Sequence, residues 1–143
     1  MATLSNPTLK IDLLTGTTYR VTAKVRVDFT PQELSWINPG SGRSGLSVKL
    51  KSDLWGSDIG EPALGDNDHL LTFPSRKITQ SATYTFSKEV SGTVLNEDIA
   101  AARTIPQQDE IYNTFKLESA IPDLIKDRSR NSPIIKGYYG PFE

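Results

Sequence analysis

Apolar and polar residues alternate without a break from Tyr19 to Thr30. Tyr19, Val21, Ala23, Val25, Val27 and Phe29 occupy the odd positions, and Arg20, Thr22, Lys24, Arg26 and Asp28 the even ones between them. A period of two sends successive side chains to opposite faces, so this run predicts a strand with one dry side and one wet side. Much of the remaining chain predicts further strands able to cover the dry side. Residues 8–14 place Leu9, Ile11 and Leu13 on one face, and Thr15-Gly16-Thr17-Thr18 then predicts a hairpin turn into the long strand. A second long strand sets Leu46, Val48, Leu50 and Leu54 against Ser47, Lys49, Lys51 and Asp53, and ends at Trp55-Gly56.

Beyond it, His69 to Phe73 predicts a strand closed by Pro74, and residues 76–80 a short edge strand. Ala82, Tyr84 and Phe86 alternate with Thr83, Thr85 and Ser87 in a strand reaching Val90 and broken by Gly92, and Ile111 to Leu117 predicts a seventh. Ile121 to Ser132 reads as a loop or irregular helical turn. Pro133 to Tyr139 is a last strand, placed on an edge because proline withholds a ladder donor.

Two short helices interrupt this pattern. Thr30-Pro31-Gln32-Glu33 has the cap, the first-turn proline and the third-position acid of a capping box, and Asn38-Pro39-Gly40 stops the helix it starts. Asn96 can cap another, with Glu97 and Asp98 at the positive end of its dipole and Ala100 to Ala102 continuing it. Between Asn38 and Gly45 the glycines and Arg43 resemble a phosphate cradle, but no Gly-Lys-Ser/Thr follows and a strand stands where a helix should start. That stretch is read as a connection.

Seven or eight short strands, turn signals between them and no β-α-β alternation predict an all-β, two-sheet antiparallel sandwich with one or two short helical turns. Residues 1–143 form one domain on this reading, a length that supports a core without staples. The paired cysteines of immunoglobulin domains are missing, and C2-like and transthyretin-like topologies remain equally open.

Composition narrows the chemistry. The absence of cysteine excludes disulfides, thiolate catalysis and cysteine-based metal sites, and with no visible secretory signal it leads to the expectation of a cytoplasmic protein. Sixteen basic residues against seventeen acidic give no field that favours nucleic acid, and no apolar run is long enough to span a bilayer. A single histidine, His69, cannot build a His-rich site, and there is no Gly-x-Ser-x-Gly elbow.

Three residue sets remain. Asp53, Asp58, Asp66 and Asp68, with Glu61 among them, crowd one stretch, and Ca²⁺ wants six to eight such oxygens. A calcium-dependent ligand- or membrane-binding module would use the loops 53–68 and 96–110. The same carboxylates would serve a hydrolase only if two stood about 5 to 10 Å apart in a cleft. Arg20, Lys24, Arg26, Lys49 and Lys51 point outward from the two longest strands and would make one positive stripe if those strands were neighbours. Tyr112, Tyr138 and Tyr139, with Trp55 at a strand end, are amphipathic rings suited equally to interfaces or to lids over small apolar clusters. With no catalytic motif and no cofactor fingerprint, the sequence is read as a non-catalytic interaction module whose partner is another protein or further copies of itself.

Overall fold

The computed structural model describes residues 1–56, 68–95 and 109–137; the side chains of Asp68 and Asp109 lie outside that description. The protein is an all-β sandwich of two antiparallel sheets. The strands are β1 (Thr3–Thr15), β2 (Thr18–Asp28), β3 (Val48–Gly56), β4 (Asp68–Lys77), β5 (Ala82–Ser91), β6 (Asp109–Ser119), β7 (Arg128–Asn131) and β8 (Ile135–Gly137). Helix α1 (Pro31–Ile37) follows β2, and a single turn α2 (Gly92–Leu95) follows β5. Sheet A has the order β1-β2-β5 and sheet B the order β4-β3-β6-β7, with β8 also on β6.

The long alternating run lies at the centre of sheet A, as its fully dry face requires. Val21, Ala23, Val25 and Val27 are completely buried, and Arg20, Lys24 and Asp28 stand on the other side. Against them sheet B presents Val48, Leu50 and Leu54 from β3 and Ile111, Phe115 and Leu117 from β6, all completely buried. Three rings join the layers: Phe86 of sheet A lies 5.9 Å from Phe73 and 6.3 Å from Phe115, in tilted packing.

One end of the sandwich is pinned by α1. The Thr30 hydroxyl accepts from the Glu33 amide at 3.2 Å, and the Glu33 carboxylate accepts from the Thr30 amide at 2.9 Å, completing the predicted capping box. The second Glu33 oxygen accepts from the Ala2 amide at 2.9 Å, which ties the start of β1 to the helix. Ile37 at the end of α1 is buried in the core. Gly45 passes so close to α1 that a β-carbon there would run into the Ile37 carbonyl. Gly45→Ala is therefore expected to cost about 1 to 3 kcal/mol by overpacking, read as a shifted denaturant midpoint; an unchanged midpoint would show that the loop can step aside.

Several elements differ from the sequence expectation. β1 begins at Thr3, five residues early, and bends where Asn6 takes φ +50° before Pro7. Pro74 does not close β4, which runs on to Lys77; the separate edge strand expected at 76–80 does not form, its first two residues belonging to β4 and 78–80 to no strand. The pairing steps from Leu50↔Arg76 to Ser52↔Phe73, so Pro74 sits in a bulge on an outer strand, where its missing donor costs no ladder bond. The stretch 121–132 is not all loop, because Arg128–Asn131 forms β7. β7 and β8 lie on the same edge of β6, interrupted at Ser132-Pro133-Ile134. The helix expected from Asn96 falls outside the described residues; the helical turn that is described is α2, just before it.

The interior of sheet B also holds a polar cluster. The Asn113 side-chain amide donates to Ser52 Oγ at 2.8 Å, and the Asn113 backbone amide donates to Ser132 Oγ at 2.8 Å. The Ser132 amide returns a bond to the Asn113 carbonyl at 2.8 Å. All three residues are buried.

Candidate interaction surface

The outward residues of sheet B form rows across its strands. His69, Trp55 and Tyr112 stand side by side on β4, β3 and β6. The next row is Thr72, Asp53, Thr114 and Asn131, and beyond it Lys51 faces Lys116 and Lys49 faces Glu118. Rows recur every two residues, about 7 Å apart on a pleated strand. An aromatic row thus lies beside a neutral polar row and then a charged one.

The first two rows are joined by hydrogen bonds. The Thr72 hydroxyl donates to Asp53 Oδ1 at 2.8 Å; His69 Nε2 lies 3.1 Å from the same oxygen and 2.8 Å from Thr72 Oγ1. The His69 ring meets Trp55 edge-on, with centroids 5.0 Å apart. Thr114 donates to Asn131 at 2.9 Å in the same row. Beside this network lies a surface depression of about 460 Å³ lined by Lys51, Asp53, Thr72, Phe73, Pro74 and Ser75. The three close contacts form a closed triangle of Thr72 Oγ1, Asp53 Oδ1 and His69 Nε2, using one carboxylate oxygen and one ring nitrogen. A hydrolytic triad instead places its acid and its nucleophile on opposite nitrogens of the imidazole.

Of the carboxylates singled out in the sequence, Asp53 is the one whose side chain is described, and its Oδ1 is engaged by Thr72 and His69. Asp58 and Asp66 lie outside the described residues, and Asp68 contributes its backbone to the start of β4. Among the described residues no three Asp, Glu or His side chains gather as cation ligands. Glu110 instead lies 3.7 Å from Lys136.

The basic stripe does not form, because β2 and β3 belong to different sheets. Arg20, Lys24 and Arg26 are on the outer face of sheet A, and Lys49 and Lys51 on that of sheet B. Arg20 pairs with Glu89 at 3.0 Å, Arg26 with Asp28 at 2.9 Å and Lys51 with Glu118 at 2.9 Å. The Glu118 hydrogen bond and charge hold the Lys51 ammonium above the usual lysine range, and the Asp28 hydrogen bond does the same for Arg26. Three of the five cations are thus paired with an anion, so neither face presents an unbroken positive field. Trp55 is half-buried in the aromatic row, while Tyr138 and Tyr139 lie outside the described residues.

Sequence reasoning did not bring Asp53, His69 and Thr72 together. They are separated by up to 19 positions and meet only through the β3–β4 register. A second depression, about 570 Å³, lies beside α1 and also escaped it; Trp36, Arg43, Leu46, Ile121 and Leu124 are among its lining residues.

No family model matches this chain. No curated protein matches it either. Among solved structures, a protein from Archaeoglobus fulgidus aligns over 98% of this chain and 100% of its own, with 10% identity and a TM-score of 0.47. A GH3 beta-glucosidase from Bifidobacterium adolescentis aligns over 97% of this chain at 7% identity and a TM-score of 0.43, and the alignment covers 17% of that enzyme. The putative ApaA protein from Bordetella pertussis aligns over 97% of this chain and 94% of its own, at 10% identity and a TM-score of 0.38. Likeness at this level carries no argument about activity. Among the described residues no helix is long and apolar enough to cross a membrane.

Proposed function

We propose that this chain is a non-catalytic β-sandwich module that binds other proteins, further copies of itself included, through the outside of its sheets. The observation that carries the reading is the aromatic row His69–Trp55–Tyr112, flanked by polar and charged rows on one sheet face. Half-buried Trp and Tyr rings supply large contact area with few rotors to freeze, and such residues dominate binding energy at protein interfaces. The mixed charges on Lys51, Lys116 and Glu118 suit the polar rim that surrounds such anchors. The Asp53, His69 and Thr72 groups are occupied with one another and so orient the row rather than await a substrate.

Trp55→Ala tests this. Trp55 stands on the outer face, so the variant should stay folded while losing an anchor worth about 2 kcal/mol or more, roughly thirtyfold in affinity. Capture of a different protein should be compared for wild type, Trp55→Ala and Tyr112→Ala at matched thermal stability. Association that falls in both variants supports the reading. Equal behaviour of all three chains, or no association by any of them, overturns it.

A further inference from the structure

β1 is an outer strand of sheet A. β2 lies on one side of it and, among the described residues, no strand pairs with the other. Its beginning is nonetheless covered, since Arg130 of β7 donates to the Leu4 carbonyl at 3.0 Å. Past the bend at Asn6-Pro7 the situation changes. Leu9, Ile11 and Leu13 sit opposite Ala23, Val21 and Tyr19 and share their inward face, yet Leu9 and Ile11 are only half-buried and Leu13 is 60% exposed. Ala23 and Val21, one strand further in, are completely buried. Sheet B therefore stops short of the outer strand of sheet A.

A long outer strand with uncovered apolar residues recruits other strands unless something prevents it. Of the other outer strands, β4 and β5 carry such devices. β4 has the Pro74 bulge, and its Arg76 reaches across to β5, donating to the Thr85 carbonyl at 2.9 Å. Along residues 8–14 of β1 the two charges are Lys10 and Asp12, of opposite sign on either side of Ile11. They lie 3.7 Å apart and are 74% and 45% exposed.

From this we infer that β1 pairs with β1 of a second copy, antiparallel, about a two-fold axis through Ile11. In that register Lys10 faces Asp12 of the second copy, Asp12 faces its Lys10, and Leu9 faces its Leu13. The charges and the inward leucines each meet their complement, and the same patch serves both subunits, as a two-fold interface requires. The pairing joins two three-stranded sheets into one of six strands, adds ladder hydrogen bonds and covers Leu13. It rests on the self-association included in the proposed function and places that part of it on the edge of sheet A, leaving the aromatic row of sheet B to other proteins.

Sedimentation and light scattering across a concentration series test it, with four chains: wild type, Lys10→Glu, Asp12→Lys, and the double exchange Lys10→Asp with Asp12→Lys. Both positions are exposed, so folding should be unaffected. Wild type should approach twice 15.8 kDa at high concentration. Each single reversal sets like charges opposite one another twice and should weaken association about tenfold or more. The double exchange should restore it, because the pattern is again self-complementary. An equimolar mixture of the two single variants should also restore it, now as a mixed dimer. Single variants that associate as wild type does, or a mixture that fails to recover, overturn β1 pairing and leave self-association to another surface. A wild type that stays monomeric at every concentration overturns the pairing outright; Trp55-dependent capture of a different protein then decides the wider reading.

Discussion

Phe115→Ala will lower the unfolding free energy by about 3 to 5 kcal/mol, the range for emptying a buried aromatic site. Phe115 is completely buried on β6, an interior strand of sheet B, and its ring meets Phe86 of the opposite sheet. Phe86 in turn touches Phe73, so the three rings form a chain between the layers. Removing one leaves a void that hydrogen-bonded strands on both sides cannot collapse to fill. In a chain of this size the melting temperature should fall by about 10 to 20 °C. Urea unfolding should show a lower midpoint with an unchanged slope. A loss below about 1 kcal/mol would mean that the sheets do not close on this ring.

Glu33→Ala should cost about 2 to 4 kcal/mol, because two amides lose a charged acceptor in a buried setting. Glu33 is 5% exposed and accepts from Thr30 and Ala2. Burial by itself pushes its carboxyl up, but the bonds from Thr30 and Ala2 outweigh burial and hold it below the usual carboxylate range. The direction of the pH effect follows. A carboxyl whose folded value is depressed contributes its full stabilisation above its unfolded value, about 4.3, and loses it as the pH falls through the folded value. The stability difference between wild type and Glu33→Gln should therefore be constant near neutrality and shrink in acid. A difference that grew on acidification would contradict the depressed carboxyl.

Alternation made the core readable. β2 carries it unbroken, β3 and β6 carry it interrupted only by the inward Ser52 and Asn113, β5 carries it from Ala82 to Ser87, and Thr30, Pro31 and Glu33 marked α1 by local hydrogen-bonding chemistry. β7 was invisible because Arg128, Ser129, Arg130 and Asn131 contain no apolar residue; the strand exists only because β6 offers a ladder to pair with. Pro74 misled for the opposite reason. A proline stops a strand flanked on both sides, but whether β4 is flanked on both sides is decided by sheet order, which no local signal carries. Sheet order likewise divided the five basic residues between two faces. It also set Asp53 beside His69 and Thr72, an encounter of residues from two strands that spacing along the chain cannot reveal.

The buried Ser52–Asn113–Ser132 cluster has a consequence for how the two central strands of sheet B find their alignment. Sliding β6 by two residues keeps the same side chains inward, so burial of apolar surface hardly distinguishes the shifted arrangement from the native one. Hydroxyl and amide groups do distinguish it. One rung toward Gly56, Asn113 would leave the Ser52 oxygen behind, and its side-chain amide would keep only the long 3.4 Å bond to the Thr114 carbonyl of its own strand. The cluster adds little to the gross attraction between the strands, but it acts as a vernier, rejecting near-miss alignments that greasy residues alone would tolerate.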